Sequence, residues 1–133
     1  MTTTIDKVAW IYVVHGKVLS ARSKGKGIYY LPGGKRDPGE TDIDTLSREI
    51  EEELSVQIKR ETVSHFGTFE AQAHDKADGV RVRMACYIAE FEGELSPASE
   101  IDELAWLSYS DRERVSPVSQ LIFDRLRELK WLP

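Results

Sequence analysis

Glu49, Glu52 and Glu53 fall at spacings of i, i+3 and i+4, with Arg48 beside the first and Glu40 eight residues before that arginine. On a helix turning about 100° per residue, the three carboxylates lie within roughly 100° of one another. Like charges placed so closely repel one another, weakly in solvent and more strongly when partly buried. Hard divalent cations, by contrast, take several oxygen ligands at once. Arg48 stands four residues before Glu52 and is spaced to orient that carboxylate by a charge-assisted bond. An acid-rich helix face is more often simply solvated, so spacing alone leaves a cation site and a charged surface both open. A calcium loop counted from Asp42 fails, because Leu46 has no oxygen for the fifth place and Ser47 replaces the sixth-place glycine.

The element that must carry these acids is legible around them. Ile43, Leu46, Ile50 and Leu54 form one apolar stripe, centred roughly 115° from the carboxylates, and predict a helix over 41–54. Thr41, with Asp44 three residues on, is its expected N-cap, and the acids of the first turn suit the positive end of the helix dipole. Residues 7–14 are β-branched and aromatic and predict a buried strand, followed by a turn at His15-Gly16 and a second hairpin arm over 17–22. A polar loop with Lys24 and Lys26 leads to a short strand, Ile28-Tyr29-Tyr30-Leu31, ended by Pro32-Gly33-Gly34. Residues 56–70 predict one or two strands, and 80–89 alternate, with Val80, Val82, Met84, Cys86 and Ile88 on one face. A last short strand is expected over 104–108. A terminal helix over 116–130 would pack Val118, Leu121, Ile122, Leu126 and Leu129. Strands and two helices in this order predict an α/β fold, a mixed sheet covered by helices.

Composition narrows the function classes. The chain has 133 residues, 41% apolar and 31% charged, which fits one ordinary domain over 1–133 with a core of its own. Its 23 acids and 18 bases give a net charge of −5. Eight of those acids and three of the bases lie within residues 35–53, so one segment holds the whole imbalance. The remainder is neutral, which argues against a general nucleic-acid binder. No apolar run reaches the roughly 20 residues of a membrane helix. The start, Met1 to Lys7, lacks the pattern of a secretory signal. A lone Cys86 forms no internal disulfide and fits a reducing cytoplasm.

Gly34, five residues, Glu40, seven residues, Arg48-Glu49-Ile50-Glu51-Glu52-Glu53 and then Leu54-Ser55-Val56 resembles the signature of the Nudix hydrolases. Eight of its nine specified positions are met, a coincidence expected less than about once in a million chains at average residue frequencies. Tyr30-Leu31-Pro32-Gly33-Gly34 is similar to the strand and double glycine that lead into this box, and the resemblance covers most of the chain. The departure is Ser55 where the family has glycine. A serine held there with positive φ costs about 1 kcal/mol, or else the helix ends differently.

The resemblance implies a Nudix-type α/β/α sandwich and metal-dependent hydrolysis of a nucleoside diphosphate linked to a group X. It implies Mg²⁺ or Mn²⁺ as cofactor, with Glu49, Glu52, Glu53 and the Gly33 carbonyl as metal ligands. Glu52 or Glu49 would position the attacking water, with Glu40 and Arg48 in support. Gly34, Lys35, Lys24 and Tyr30 are the substrate-binding candidates, with Lys26, Arg81, Arg83 and Tyr29 as weaker ones. The general base lies either in the box or in the loop of Glu100, Asp102 and Glu103. One branch of the family, acting on oxidised guanine nucleotides, often has an asparagine near the start of the last helix, where Ser119 falls here. The implied partner is a small nucleotide: a nucleoside triphosphate, or alternatively ADP-ribose, a nucleotide sugar or a dinucleoside polyphosphate. A non-catalytic nucleotide-binding module is a third reading, opposed by retention of four glutamates and the arginine. The resemblance also admits a homodimer. His15, His65 and His74 lack metal-ligand spacing and are expected to be structural. With two Mg²⁺ bound, the acidic segment would sum to about −1 and admit a polyphosphate.

Overall fold

A computed structural model of the chain describes residues 3–133. Met1 and Thr2, where the reading of the amino terminus begins, lie outside them. Strand β1 (Thr3–Trp10) sits inside a four-stranded mixed sheet of order β4-β1-β7-β6, with β4 (Gly33–Gly34), β6 (Ser64–Gln72) and β7 (Val80–Ile88). The β1–β7 pair is parallel, and β4 and β6 join antiparallel. A second, three-stranded sheet contains β2 (Val13–Val14), β3 (Lys17–Ser23) and β9 (Ile101–Leu107). The short pair β5 (Gln57–Ile58) and β8 (Phe91–Glu92) completes the strands.

The alternation of β1 builds a layer on each side of the sheet. Ala9 joins Val82, Met84 and Cys86 in a core closed by α2 (Pro117–Glu128) through Val118, Ile122, Phe123 and Leu126. Val8 and Trp10 face the other way, into a core closed by α1 (Asp42–Leu54) through Leu46, Ile50 and Leu54. This is the helix–sheet–helix arrangement expected of the sequence. No helix among the described residues is long and apolar enough to cross a membrane.

Helix α1 starts as its sequence predicts. Thr41 accepts from the Asp44 N–H at 3.1 Å, and Asp44 accepts from the Thr41 N–H at 3.1 Å, a reciprocal capping box. Its end is set by tertiary partners. Ser55 adopts φ 64°, and the carbonyls of Leu54 and Glu53 accept from the N–H groups of Ser96 and Ala98 at 2.9 Å each. The left-handed helix end is therefore kept with serine in the glycine place.

Three expectations need correction. Ile28 to Leu31 is not a continuous strand: Tyr30 bridges Ala21 and Tyr29 bridges Val115, and the ladder to β1 begins only at Gly33. Leu121 in α2 and Leu129 just past its end are exposed, while Phe123 is fully buried. The strand expected over 7–14 is broken after Trp10, because Tyr12 turns away to receive the Leu19 N–H on its carbonyl.

Candidate active site

Arg48 is the hub of the acidic segment. Its Nε and Nη2 donate to the two oxygens of Glu40 at 2.8 and 2.9 Å, Nη1 donates to Glu49 at 2.7 Å, and Nη2 also reaches the Lys35 carbonyl at 3.0 Å. Glu52 lies 3.5 Å from the same guanidinium. Glu40 accepts further bonds from the Asp37 N–H and the Thr45 hydroxyl. Arg48 first, and then the backbone bond, hold the Glu40 carboxyl down at about 2. Glu40 is thus a permanently charged brace tying the loop of residues 35–41 to the helix.

The other two glutamates face a dry environment. Burial pushes Glu49 up against the pull of Arg48. Glu53 is 4% exposed, and burial pushes it up to about 8, against the pull of the Gly33 N–H at 3.2 Å and, more weakly, of the Lys7 charge. The double glycine makes this approach feasible. At Gly33, φ is +151°, and a Cβ would overlap the Val8 carbonyl; at Gly34 a Cβ would lie 2.5 Å from the Glu49 carboxyl carbon.

These groups border a cleft of about 560 Å³. Gly33, Gly34, Lys35, Tyr30, Glu49 and Glu53 line it, whereas Glu52 stands half-exposed outside and Lys24 projects elsewhere, with Lys26 on the cleft instead. No group of three His, Cys, Asp or Glu among the described residues is gathered as a ready-made ion site. The donor set nevertheless fits a hard divalent cation: two desolvated carboxylates share one wall, and Glu53 has no counter-charge in bonding contact.

The remaining candidates separate clearly. Glu100 lines the cleft, while Asp102 and Glu103 are engaged by Arg22 at 3.0 and 3.1 Å. Arg81 and Arg83 both turn to Glu70. Tyr29 is buried and donates to Glu103 at 2.8 Å. Buried Ser119 receives the Ser116 hydroxyl at 2.9 Å, and Ser116 rather than Ser119 lines the cleft. Cys86 is fully buried, its thiol pushed up to about 12 by burial. His74, expected to be structural, sits on the cleft beside Asp75, whereas His65 packs on the Tyr87 ring. Sequence reasoning missed Lys7, Gln72 and Lys76 on the cleft. Only Lys7 left a signal, as a charge within the alternating apolar positions Ile5, Ala9 and Ile11.

The family model of the NUDIX domain matches residues 5–126. The chain belongs to the NUDIX family. The solved structure of the E. coli ORF135 protein superposes with a TM-score of 0.74 at 25% identity, covering 97% of this chain and 92% of that one. The MutT NUDIX hydrolase from Burkholderia pseudomallei gives 0.67 at 26% identity, covering 81% and 85%. The 8-oxo-dGDP phosphatase NUDT18 of Homo sapiens is 37% identical over 46 residues, which span 35% of this chain and 14% of that protein. The NUDIX domain carried here is that of a hydrolase acting on phosphoric anhydride bonds, in a family that generally uses divalent metals and small nucleotide substrates.

Proposed function

We propose that this NUDIX hydrolase is a Mg²⁺- or Mn²⁺-dependent enzyme that cleaves nucleoside triphosphates to monophosphate and pyrophosphate. The observation that carries this reading is the buried Glu53 and the partly buried Glu49 on the wall of a nucleotide-sized cleft, braced by the Arg48–Glu40 fork. Glu49, Glu52, Glu53 and the Gly33 carbonyl are the ligand set. When bound, the cation neutralises pyrophosphate charge and acidifies a water at the reacting phosphorus. Arg48 holds Glu49 in place through one N–H and carries Glu52 at its edge. Glu52 or Glu49 positions the water, and the base that takes its proton is a glutamate of the box or Glu100, the loop candidate that lines the cleft. Lys35, Tyr30 and Gly34 receive the substrate, the glycine by letting it approach the backbone.

A second reading draws on the 46-residue likeness to an 8-oxo-dGDP phosphatase. It makes a nucleoside diphosphate the substrate, with phosphate as the second product. One assay separates the two: incubation with Mg²⁺ and a panel of nucleoside tri- and diphosphates including 8-oxo-dGDP, ADP-ribose, nucleotide sugars and dinucleoside polyphosphates. Pyrophosphate from triphosphates supports the first reading, and phosphate from diphosphates alone supports the second. Binding without turnover of any panel member would leave a non-catalytic module.

A further inference from the structure

One cation of the cleft stands apart from those on its loops. Lys7 enters it from β1, the strand at the middle of the sheet, whereas Lys26, Lys35 and Lys76 are exposed and reach it from loops. It is half-buried and forms no ion pair and no side-chain hydrogen bond among the described residues, although Glu49 and Glu53 border the same cleft. Glu53 takes the Gly33 N–H instead. An ammonium taken partly out of water without a partner costs stability unless a ligand supplies an acceptor.

The surroundings of Lys7 say what kind of acceptor. In the parallel β1–β7 ladder Ile5 is level with Val82 and Lys7 with Met84. Positions i and i+2 on one strand lie about 6.7 Å apart and neighbouring strands about 4.8 Å apart, so these side chains form a shallow floor. Ile5, Val82 and Met84 make that floor apolar, and Leu31 and Val118 extend it along the cleft. Such a floor takes the face of a flat ring, and one cation beside it takes a hydrogen-bond acceptor on the ring's edge. The exposed loop cations Lys26, Lys35 and Lys76 suit a phosphate, whereas Lys7 alone among these lysines rises from the strand that forms the apolar floor. Lysine pairs with the O6 and N7 acceptors of a 6-oxopurine, whereas adenine offers an amino donor in place of O6.

We propose that Lys7 is a specificity-determining residue that donates to a carbonyl on the edge of the substrate's base, so that the cleft prefers 6-oxopurine nucleotides to adenine nucleotides. The inference rests on the nucleotide-hydrolase reading and deepens it. With adenine the ammonium keeps only N7 and faces the amino donor where O6 would accept from it.

ITP and ATP, which differ in this edge, provide the test on the full chain with Mg²⁺. The expected wild-type kcat/KM favours ITP by about tenfold. In Lys7→Met the ratio falls to within about twofold, through KM, and Lys7→Arg restores the preference. Equal loss on both substrates would assign Lys7 to the phosphates and overturn the proposal, as would an absent wild-type preference. If neither triphosphate is turned over, the hydrolase reading fails separately, and calorimetry with IMP and AMP decides. Tighter IMP binding that Lys7→Met abolishes sustains the inference. Equal binding, or none of either, overturns it.

Discussion

The Arg48 guanidinium grips both oxygens of Glu40, with Nε to Oε2 at 2.8 Å and Nη2 to Oε1 at 2.9 Å. A planar fork on a planar carboxylate fixes direction as well as distance, which a lysine cannot reproduce. The helix that bears the carboxylates is thereby pinned to the loop that begins at the double glycine. Arg48→Lys should therefore lower turnover by at least about tenfold while keeping the fold, and Arg48→Ala should also lower the melting midpoint. Equal rates for Arg48→Lys and wild type would show that the fork is not what positions the site.

The two glycines should fail differently. A Cβ at Gly33 meets backbone, so Gly33→Ala is expected to lower the melting midpoint sharply or prevent folding. A Cβ at Gly34 meets the carboxyl group of Glu49, a side chain that can move. Gly34→Ala should fold and lose turnover. Thermal melting and steady-state rates on both variants check this, and an active Gly34→Ala would contradict the placement of Glu49.

Glu52→Gln and Glu53→Gln should each lower turnover by at least about a hundredfold if both are cation ligands. Their effects on stability should differ. Removing the buried Glu53 charge should raise the metal-free melting midpoint, while Glu52, half-exposed, should leave it nearly unmoved. Millimolar Mg²⁺ or Mn²⁺ should raise the wild-type midpoint and raise that of Glu53→Gln much less.

The raised Glu53 group gives a pH signature in the metal-free protein. Its folded value of about 8 exceeds the ordinary 4.5, so the folded state binds this proton more tightly than the unfolded chain. The associated stability is complete below about pH 4.5 and is lost as pH rises through 8. The metal-free midpoint should accordingly fall across that window, and Glu53→Gln should flatten the fall. A midpoint equally pH-dependent in the variant would rule Glu53 out as its source.

Ser55→Gly restores the residue that a left-handed helix end favours. Relief of the φ 64° conformation outweighs the greater freedom of glycine in the unfolded chain, for a gain of about 0.5 kcal/mol. The Ser55 hydroxyl bond to the Ser96 carbonyl, at 3.3 Å and exposed, offsets little of it. Denaturant unfolding reads the difference directly, and a destabilised variant would mean that this bond matters more than the backbone.

Much of this protein is local information and could be read from residues alone. The period of Ile43, Leu46, Ile50 and Leu54, the Thr41–Asp44 box and the spacing of Gly34, Glu40 and Arg48 are properties of a continuous segment. Helix geometry converts them into a buried stripe, a cap and a carboxylate face with no reference to distant parts of the chain. Tertiary contact decided the rest. Glu52 and Glu53 are adjacent and chemically identical, yet one is half-exposed and the other dry, because Gly33 and the strand below it close over only one. Glu100 was separated from Asp102 and Glu103 by Arg22, which engages the first from 80 positions away. Leu121, expected to pack, is exposed and Phe123, which the helix period did not single out, is buried, because the sheet chose which flank of α2 to cover. Lys7 came to the cleft for the same reason: alternation fixed its face, and only the pairing of β1 with β7 determined what that face looks upon.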